Sequence, residues 1–236
     1  MEFNIEYFFQ CLQSGFDYLP VTIKLTLISF LIGIAGGMII AVIRTYRIPV
    51  LSQILAAFVT IYQGVPMVVA LLIYNLIFLS TFNDFASAFH LKLTLAEVDT
   101  IIIGYFALSL FCITTISETF LGALKSIPEI QYEAGYSVGL TKIQTLRRII
   151  IPQVLPVAMP GLTNNMVGTI KSTALVTAVG IVEVMAGSVI PCGITYSYIE
   201  GYAAAAVLYW IFSEAIGAIL RRIEKGSNRY TRRGAA

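Results

Sequence analysis

The chain has 236 residues, of which 58% are AVILMFWYC and only 12% are Asp, Glu, Lys or Arg. A water-soluble domain carries about 25% charged residues, so this composition cannot clothe a water-facing globule and excludes a soluble enzyme on a membrane anchor. A net charge of +2, from 15 basic and 13 acidic residues, gives no reason to expect nucleic acid as a partner.

Taken in chain order, Met1 to Glu6 hold two acids and no base, unlike the positive start of a cleavable signal sequence. A bilayer core about 30 Å thick needs roughly 20 apolar residues in a helix. Leu25 to Ile43 meets that need with 19 residues free of charge, and its Gly33, Gly36 and Gly37 mark a packing surface, a candidate dimer contact. The next charge-free run, Ile48 to Asn83, is 36 residues long, too many for one upright span. It is read as an interfacial segment after Pro49 followed by a span at about 58–79, with Gly64 and Pro66 breaking its helix. The third span falls between Asp99 and Glu118. The fourth lies within Ile149 to about Ile190 as one span plus a short re-entrant or surface segment, with Pro152, Pro156 and Pro160 predicting a bent or late-starting helix. Lys171 is expected to pair with Glu183 or with a partner's carboxylate. Tyr202 to Leu220 forms the last span, with Trp210 as a packing residue and Glu214 met by a basic neighbour, as is Glu118. The fold class is therefore an all-α membrane protein with five transmembrane helices, one domain over 1–225 and a short, mobile basic tail over 226–236.

Cytoplasmic segments are enriched in Lys and Arg. With the N-terminus outside, the inner segments hold Arg44, Arg47, Lys125, Lys142, Arg147, Arg148, Arg221, Arg222, Lys225, Arg229, Arg232 and Arg233, which is 12 of the 15 basic residues. Lys24, Lys92 and Lys171 remain. This distribution predicts N-out, C-in, with His90 solvated in an outer loop. Cys11, Cys112 and Cys192 are far apart, have no C-x-x-C spacing and share one histidine, which argues against a disulfide or metal framework.

Polar groups inside a membrane are costly and so mark candidate functional positions. Asn164, Asn165, Thr169, Ser172 and their neighbour Lys171 cluster on the first half of span four. Two readings stay open for them: they line a solute path, or they bond neighbouring helices. Nothing in the chain can use ATP by a recognisable route, because a P-loop needs Gly-Lys and none of the 18 glycines precedes a lysine. There is also no nucleophile–base pair or metal-ligand spacing for an intramembrane enzyme, and no obvious internal repeat of the kind secondary carriers use.

The richest segment runs from 122 to 160. After Pro128, residues 129–138 predict a short helix stopped by Gly139, and Thr141 is placed to cap a second helical piece over 141–151. Two short helices with a glycine hinge make a projecting knob, which is a docking element. The segment resembles the EAA loop of permease subunits of ATP-binding-cassette importers, E-A-A-x3-G-x9-I-x-L-P: here Glu133, Ala134, Gly135, then Gly139, Ile149, Ile151 and Pro152. Gly135 stands for the second alanine and Ile151 for the leucine. Gln63-Gly64-Val65-Pro66 is similar to the R-G-T-P motif of the second span, and 168–175 resembles G-L-L-K-D-T-S-L, both from the polar amino-acid branch of that family. Glu118 with 122–124 looks like that branch's A-E-x-x-R-G-A-L, with Leu121 at the arginine.

The resemblance implies a type I importer permease-like (MetI-like) architecture in the bacterial inner membrane and coupling through Glu133, Ala134, Gly135, Gly139, Ile149 and Pro152. It implies no cofactor on this chain, since ATP and Mg belong to two partner ATPase subunits. It also implies a second permease chain, identical or sister, an external solute-binding protein, surrounding lipid, and an amino-acid substrate. Gln63, Gly64, Asn164, Asn165, Thr169 and Ser172 are the path candidates. Relatives that carry cationic amino acids have glutamate where Asn165 stands, so a neutral, polar or zwitterionic cargo is expected. The alternative is a self-sufficient secondary carrier or channel.

Overall fold

The computed structural model describes residues 3–90 and 94–233, and among these there are eleven α-helices and no strand. Helix α1 (Ile5–Asp17) precedes the first span α2 (Leu19–Thr45). Next come α3 (Leu51–Gly64), α4 (Met67–Ala88) and α5 (Ile101–Lys125). The short helices α6 (Glu129–Ser137) and α7 (Lys142–Thr145) lead into α8 (Ile151–Ser172). After a 3₁₀ stretch over Thr173–Val179 come α9 (Val184–Val189), α10 (Cys192–Thr195) and α11 (Tyr198–Arg233).

Four helices are long and apolar enough to cross a membrane: α2, α4, α5 and α11. The pair Lys142–Val179 and Val184–Thr195, bent by 63°, passes the same test together and is the candidate for a fifth crossing. Four of the expected five spans are present as single helices among the described residues, with shifted bounds, and the fourth span corresponds to the bent pair. The largest shift is in span two, read at 58–79 but found at Met67–Ala88. Val65 and Pro66 are both extended (ψ 128° and 130°), and Pro66 has no amide to continue the helical ladder, so α3 ends where the sequence places only a break within the span. Helix α1, which the sequence reading passes over, starts at Asn4, whose side chain accepts from the amides of Glu6 and Tyr7. Helix α11 continues to Arg233 without ending at 226. Lys92 lies outside the described residues.

The core forms around α2 and α5. A Cβ on Gly33 would sit 2.4 Å from Cys112 Cβ, and one on Gly37 would sit 2.9 Å from the Ser117 backbone nitrogen. The glycine face of span one is thus consumed by close helix packing within the subunit, which corrects its reading as a dimer contact. Phe120, Ile116, Leu124, Ile150 and Val154, all fully buried or nearly so, extend this core along α8.

The three prolines of span four do not break it. Helix α8 runs through Pro156 and Pro160, preceded by a π-helical turn at Leu146–Ile150. Pro152, Pro156 and Pro160 are four residues apart, so each of the last two withholds the hydrogen bond that the preceding proline's carbonyl would have accepted, all on one face. The bend comes later, at Gly180, whose φ of +81° ends the 3₁₀ stretch.

At that bend Glu183 is fully buried. It accepts from Thr22 Oγ1 (3.0 Å), Thr177 Oγ1 (3.3 Å), Thr173 Oγ1 (3.4 Å), the Met185 amide (2.7 Å) and the Tyr209 hydroxyl. The expected Lys171–Glu183 pair is not formed. Lys171 is exposed, and the carboxylate is satisfied by hydroxyl and amide donors, which carry no desolvated cation into the bilayer with it. Trp210 is also corrected: it is 67% exposed and packs on nothing in this subunit that hides it.

Candidate coupling loop and transport path

In the segment from 126 to 151 the expected short helix, its stop at Gly139 and the Thr141 cap are all present. Helix α6 ends in a Schellman motif: the Leu140 amide donates to Gly135 O (3.1 Å) and the Gly139 amide to Tyr136 O (2.9 Å), with Gly139 at φ +80°. Thr141 and Gln144 then form a capping box, the Gln144 amide donating to Thr141 Oγ1 (3.3 Å) and the Thr141 amide to Gln144 Oε1 (2.9 Å). The second helical piece does not stop at 151, however. It passes through the π-helical turn directly into span four, so the knob and the span are one mechanical piece.

Gly135 has a reason beyond propensity. It is buried against Thr145, and a Cβ there would lie 2.5 Å from Thr145 Cγ2 and 2.6 Å from its Oγ1. Thr145 is itself fully buried. The departure from alanine is thus matched to a threonine on the facing helix. Gln153 Nε2 donates to Gln131 Oε1 (3.3 Å) and to Ile149 O (2.8 Å), tying α6 to the root of span four. Tyr46 and Tyr132 meet edge to face, with ring centres 6.5 Å apart, joining the end of span one to the same helix. Burial raises both phenols above the usual tyrosine range, with Tyr136 nearby adding to the effect, so this wedge stays uncharged.

What the loop leaves outside is apolar. Ile130 is 66%, Val138 74% and Ile143 77% exposed, while Glu129, Glu133 and Ala134 are exposed beside them. Three large aliphatic side chains on a polar, charged loop form a surface built to be covered. The motif residues were legible in the sequence, but these three were not, because nothing local distinguishes an apolar residue that faces a core from one that faces a partner. Between this loop and the turn after span one lies an open cavity of about 850 Å³, lined among others by Arg44, Arg47, Lys125, Glu129 and Tyr132. Arg44 pairs with Glu118 and Arg221 with Glu214 (3.1 Å), so both expected basic partners are found.

The path candidates do not converge on one point. Gln63 Nε2 donates to Thr114 O (3.1 Å), which ties the end of α3 to span three, and Gly64 is exposed with nothing around it. Asn165 Nδ2 donates to Thr119 Oγ1 (2.8 Å), and Thr169 Oγ1 donates to Asn165 O (2.8 Å) and touches Cys112 Sγ (3.2 Å). In this conformation Asn165 and Thr169 join spans three and four. Asn164 is exposed and Ser172 half-buried, on the side of α8 that this subunit leaves open.

The fold and the loop can now be set beside known proteins. Residues 33–229 match the family described as binding-protein-dependent transport system inner membrane component. The chain belongs to that family. It is similar to the probable amino-acid permease protein YxeN of Bacillus subtilis, 33% identical over 212 residues that cover 90% of this chain and 88% of the relative. It is also similar to the arginine ABC transporter permease protein ArtQ of Escherichia coli K12, 30% identical with 90% and 94% coverage. In fold it resembles the crystal structure of an amino acid ABC transporter with histidines, with a TM-score of 0.78, 23% identity, and 95% and 99% coverage. The chain is an amino-acid ABC transporter permease subunit of the inner membrane, with the MetI-like architecture.

Proposed function

We propose that this permease subunit imports a polar or zwitterionic amino acid, with its N-terminus outside and its C-terminus inside, driven by two separate ATPase subunits that hydrolyse ATP with Mg. A second permease chain, identical or sister, completes the pathway, and an external solute-binding protein delivers the cargo. The observation that carries the reading is the exposed Ile130, Val138 and Ile143 on a hinged loop continuous with span four. An apolar knob held by a Schellman turn, a capping box and the Gln131–Gln153 contact transmits displacement as a rigid lever, and span four moves with it. The convergence of Arg44, Arg47 and Lys125 on the cavity beside this loop supports a cytoplasmic position for that end.

Val138→Asp and Ile143→Asp are expected to reduce retention of the ATPase in affinity pull-down from detergent extract at least tenfold, with the permease itself folded and inserted. Equal retention by wild type and both variants, or by Glu133→Lys, overturns the docking role. The ATPase-free alternative is tested in the same preparation: uptake by proteoliposomes containing this chain alone sinks the reading.

The neutral cargo is inferred from the amide at Asn165, which in this conformation bonds Thr119 and supplies no carboxylate to the path. A site lined by amides and hydroxyls does not offset the desolvation of a buried cationic side chain. Arginine is named for the relative ArtQ, at an identity that does not by itself assign cargo. In the complete transporter, neutral amino acids are expected to compete for uptake while arginine and lysine do not. Saturable arginine uptake that depends on the binding protein overturns this.

A further inference from the structure

Cys11 and Cys192 are 181 positions apart, yet the fold brings their Sγ atoms to 3.7 Å. Both are fully buried, Cys11 on α1 and Cys192 at the start of α10, packed with Ala204 and with the partly buried Phe8, Leu12 and Val189. Cys192 Sγ also lies 3.2 Å from Ser197 O, while the third thiol, Cys112 of span three, contacts Thr169 of span four, away from them. The neighbourhood is pinned at both ends: the Asn4 amide donates to Glu200 Oε1 (2.7 Å) and Ser14 Oγ to Gly187 O (2.7 Å).

We propose that Cys11 and Cys192 are a disulfide-forming pair at the outer face of the subunit. The inference rests on the N-out orientation, since the same thiols in a reducing cytoplasm would stay reduced. A disulfide bond is about 2.05 Å long, so the two sulfurs, already in contact at 3.7 Å, have only to close that remaining gap. The chemistry is thiol–disulfide exchange with an extracytoplasmic disulfide carrier. The thiolate of one cysteine attacks a carrier sulfur, forming a mixed disulfide and releasing the carrier's other sulfur as a thiolate. The second cysteine's thiolate then attacks the first and expels the carrier. Two protons and two electrons leave the permease, and the carrier's disulfide becomes a dithiol. Because both sulfurs are buried in the finished fold, exchange takes place as α1 docks, and the packed end then shields the bond from reductant. The bond links the segment before span one to the segment before span five, so it restrains the chain across the first four spans.

The test uses membranes from cells grown in air and expressing the whole transporter, dissolved in SDS with N-ethylmaleimide, with or without prior reduction by a phosphine. The expected mass of this chain carries one maleimide without reduction and three after it, and digestion yields one linked peptide pair containing Cys11 and Cys192. Cys112→Ser is expected to carry none without reduction, and Cys11→Ser two in both conditions. Three maleimides on the unreduced wild-type chain, or a linkage through Cys112 or between two chains, overturns the proposal. Labelling of an N-terminal epitope on intact spheroplasts separates the two inferences: if it labels and three thiols are free, the pair alone fails, and if it labels only after permeabilisation, the orientation fails with it.

Discussion

Replacing Glu183 by leucine is expected to destabilise the subunit by about 3 kcal/mol or more, seen as a fall in the thermal midpoint of the detergent-solubilised protein and as loss of transport. Glu183 is where α2, the 3₁₀ stretch, α9 and α11 meet, and its two oxygens take donors from all four. Each buried donor left without an acceptor costs about 1–3 kcal/mol. The cost is uneven across the set. Thr173 Oγ1 already donates to Ile170 O (2.7 Å) and is served without the carboxylate. The Tyr209 hydroxyl keeps only a long contact to Thr173 Oγ1 (3.4 Å), and the Met185 amide is left without its acceptor, so these two account for most of the expected loss. Glu183→Gln keeps one oxygen and the same volume, so it is expected to lose less than half as much. If leucine and glutamine prove equally harmless, the bend in span four does not depend on this carboxylate. Equal and complete loss with both would show that the charge, not the acceptor geometry, is what matters.

Gly135→Val is expected to cut transport and ATPase retention at least tenfold, and Thr145→Ala in the same chain to restore a large part of both. The valine Cβ would lie within 2.6 Å of two atoms of Thr145, and the two helices of the knob must then separate. Overpacking of this kind costs about 1–3 kcal/mol, which is enough to disorder a loop held by a few hydrogen bonds. Removing the threonine's Cγ2 and Oγ1 takes away the two nearest contacts and leaves only Cβ, at 3.1 Å. The paired measurement is therefore decisive. Rescue by the second substitution places the defect at this contact, whereas a double variant as poor as the single one shows that Gly135 is needed for some other reason. Gly139, by contrast, has open space around it and is fixed by its left-handed φ, so no second-site change is expected to rescue a branched residue there.

The sequence was legible wherever the deciding interaction is local. Hydropathy found five crossings, because the requirement for about 20 apolar residues acts on each segment separately. Thr141 and Gly139 marked the two-helix knob, because caps and left-handed turns are set by neighbours three or four residues away. Glu118 and Glu214 were rightly given basic partners at the membrane edge. The misreadings concern position in the molecule. The sequence placed Lys171 with Glu183 because they are the two charges of one span, but the fold turns Lys171 outward and surrounds Glu183 with residues as far off as Thr22 and Tyr209. Gly33 and Gly37 announced a close helix approach without naming the partner, which proved to be α5.

By itself the sequence determined that this chain spans a membrane, roughly where it does so, and that one loop folds as two short helices joined at a glycine. Composition, capping and periodicity are properties of short segments, and water or lipid enforces them on each segment alone. Only the tertiary structure decided which helix faces meet, that the knob is continuous with span four, that three aliphatic residues of the knob stay uncovered, and that two cysteines 181 positions apart touch. Those outcomes depend on packing between distant segments, where many side chains of similar polarity compete and shape selects among them.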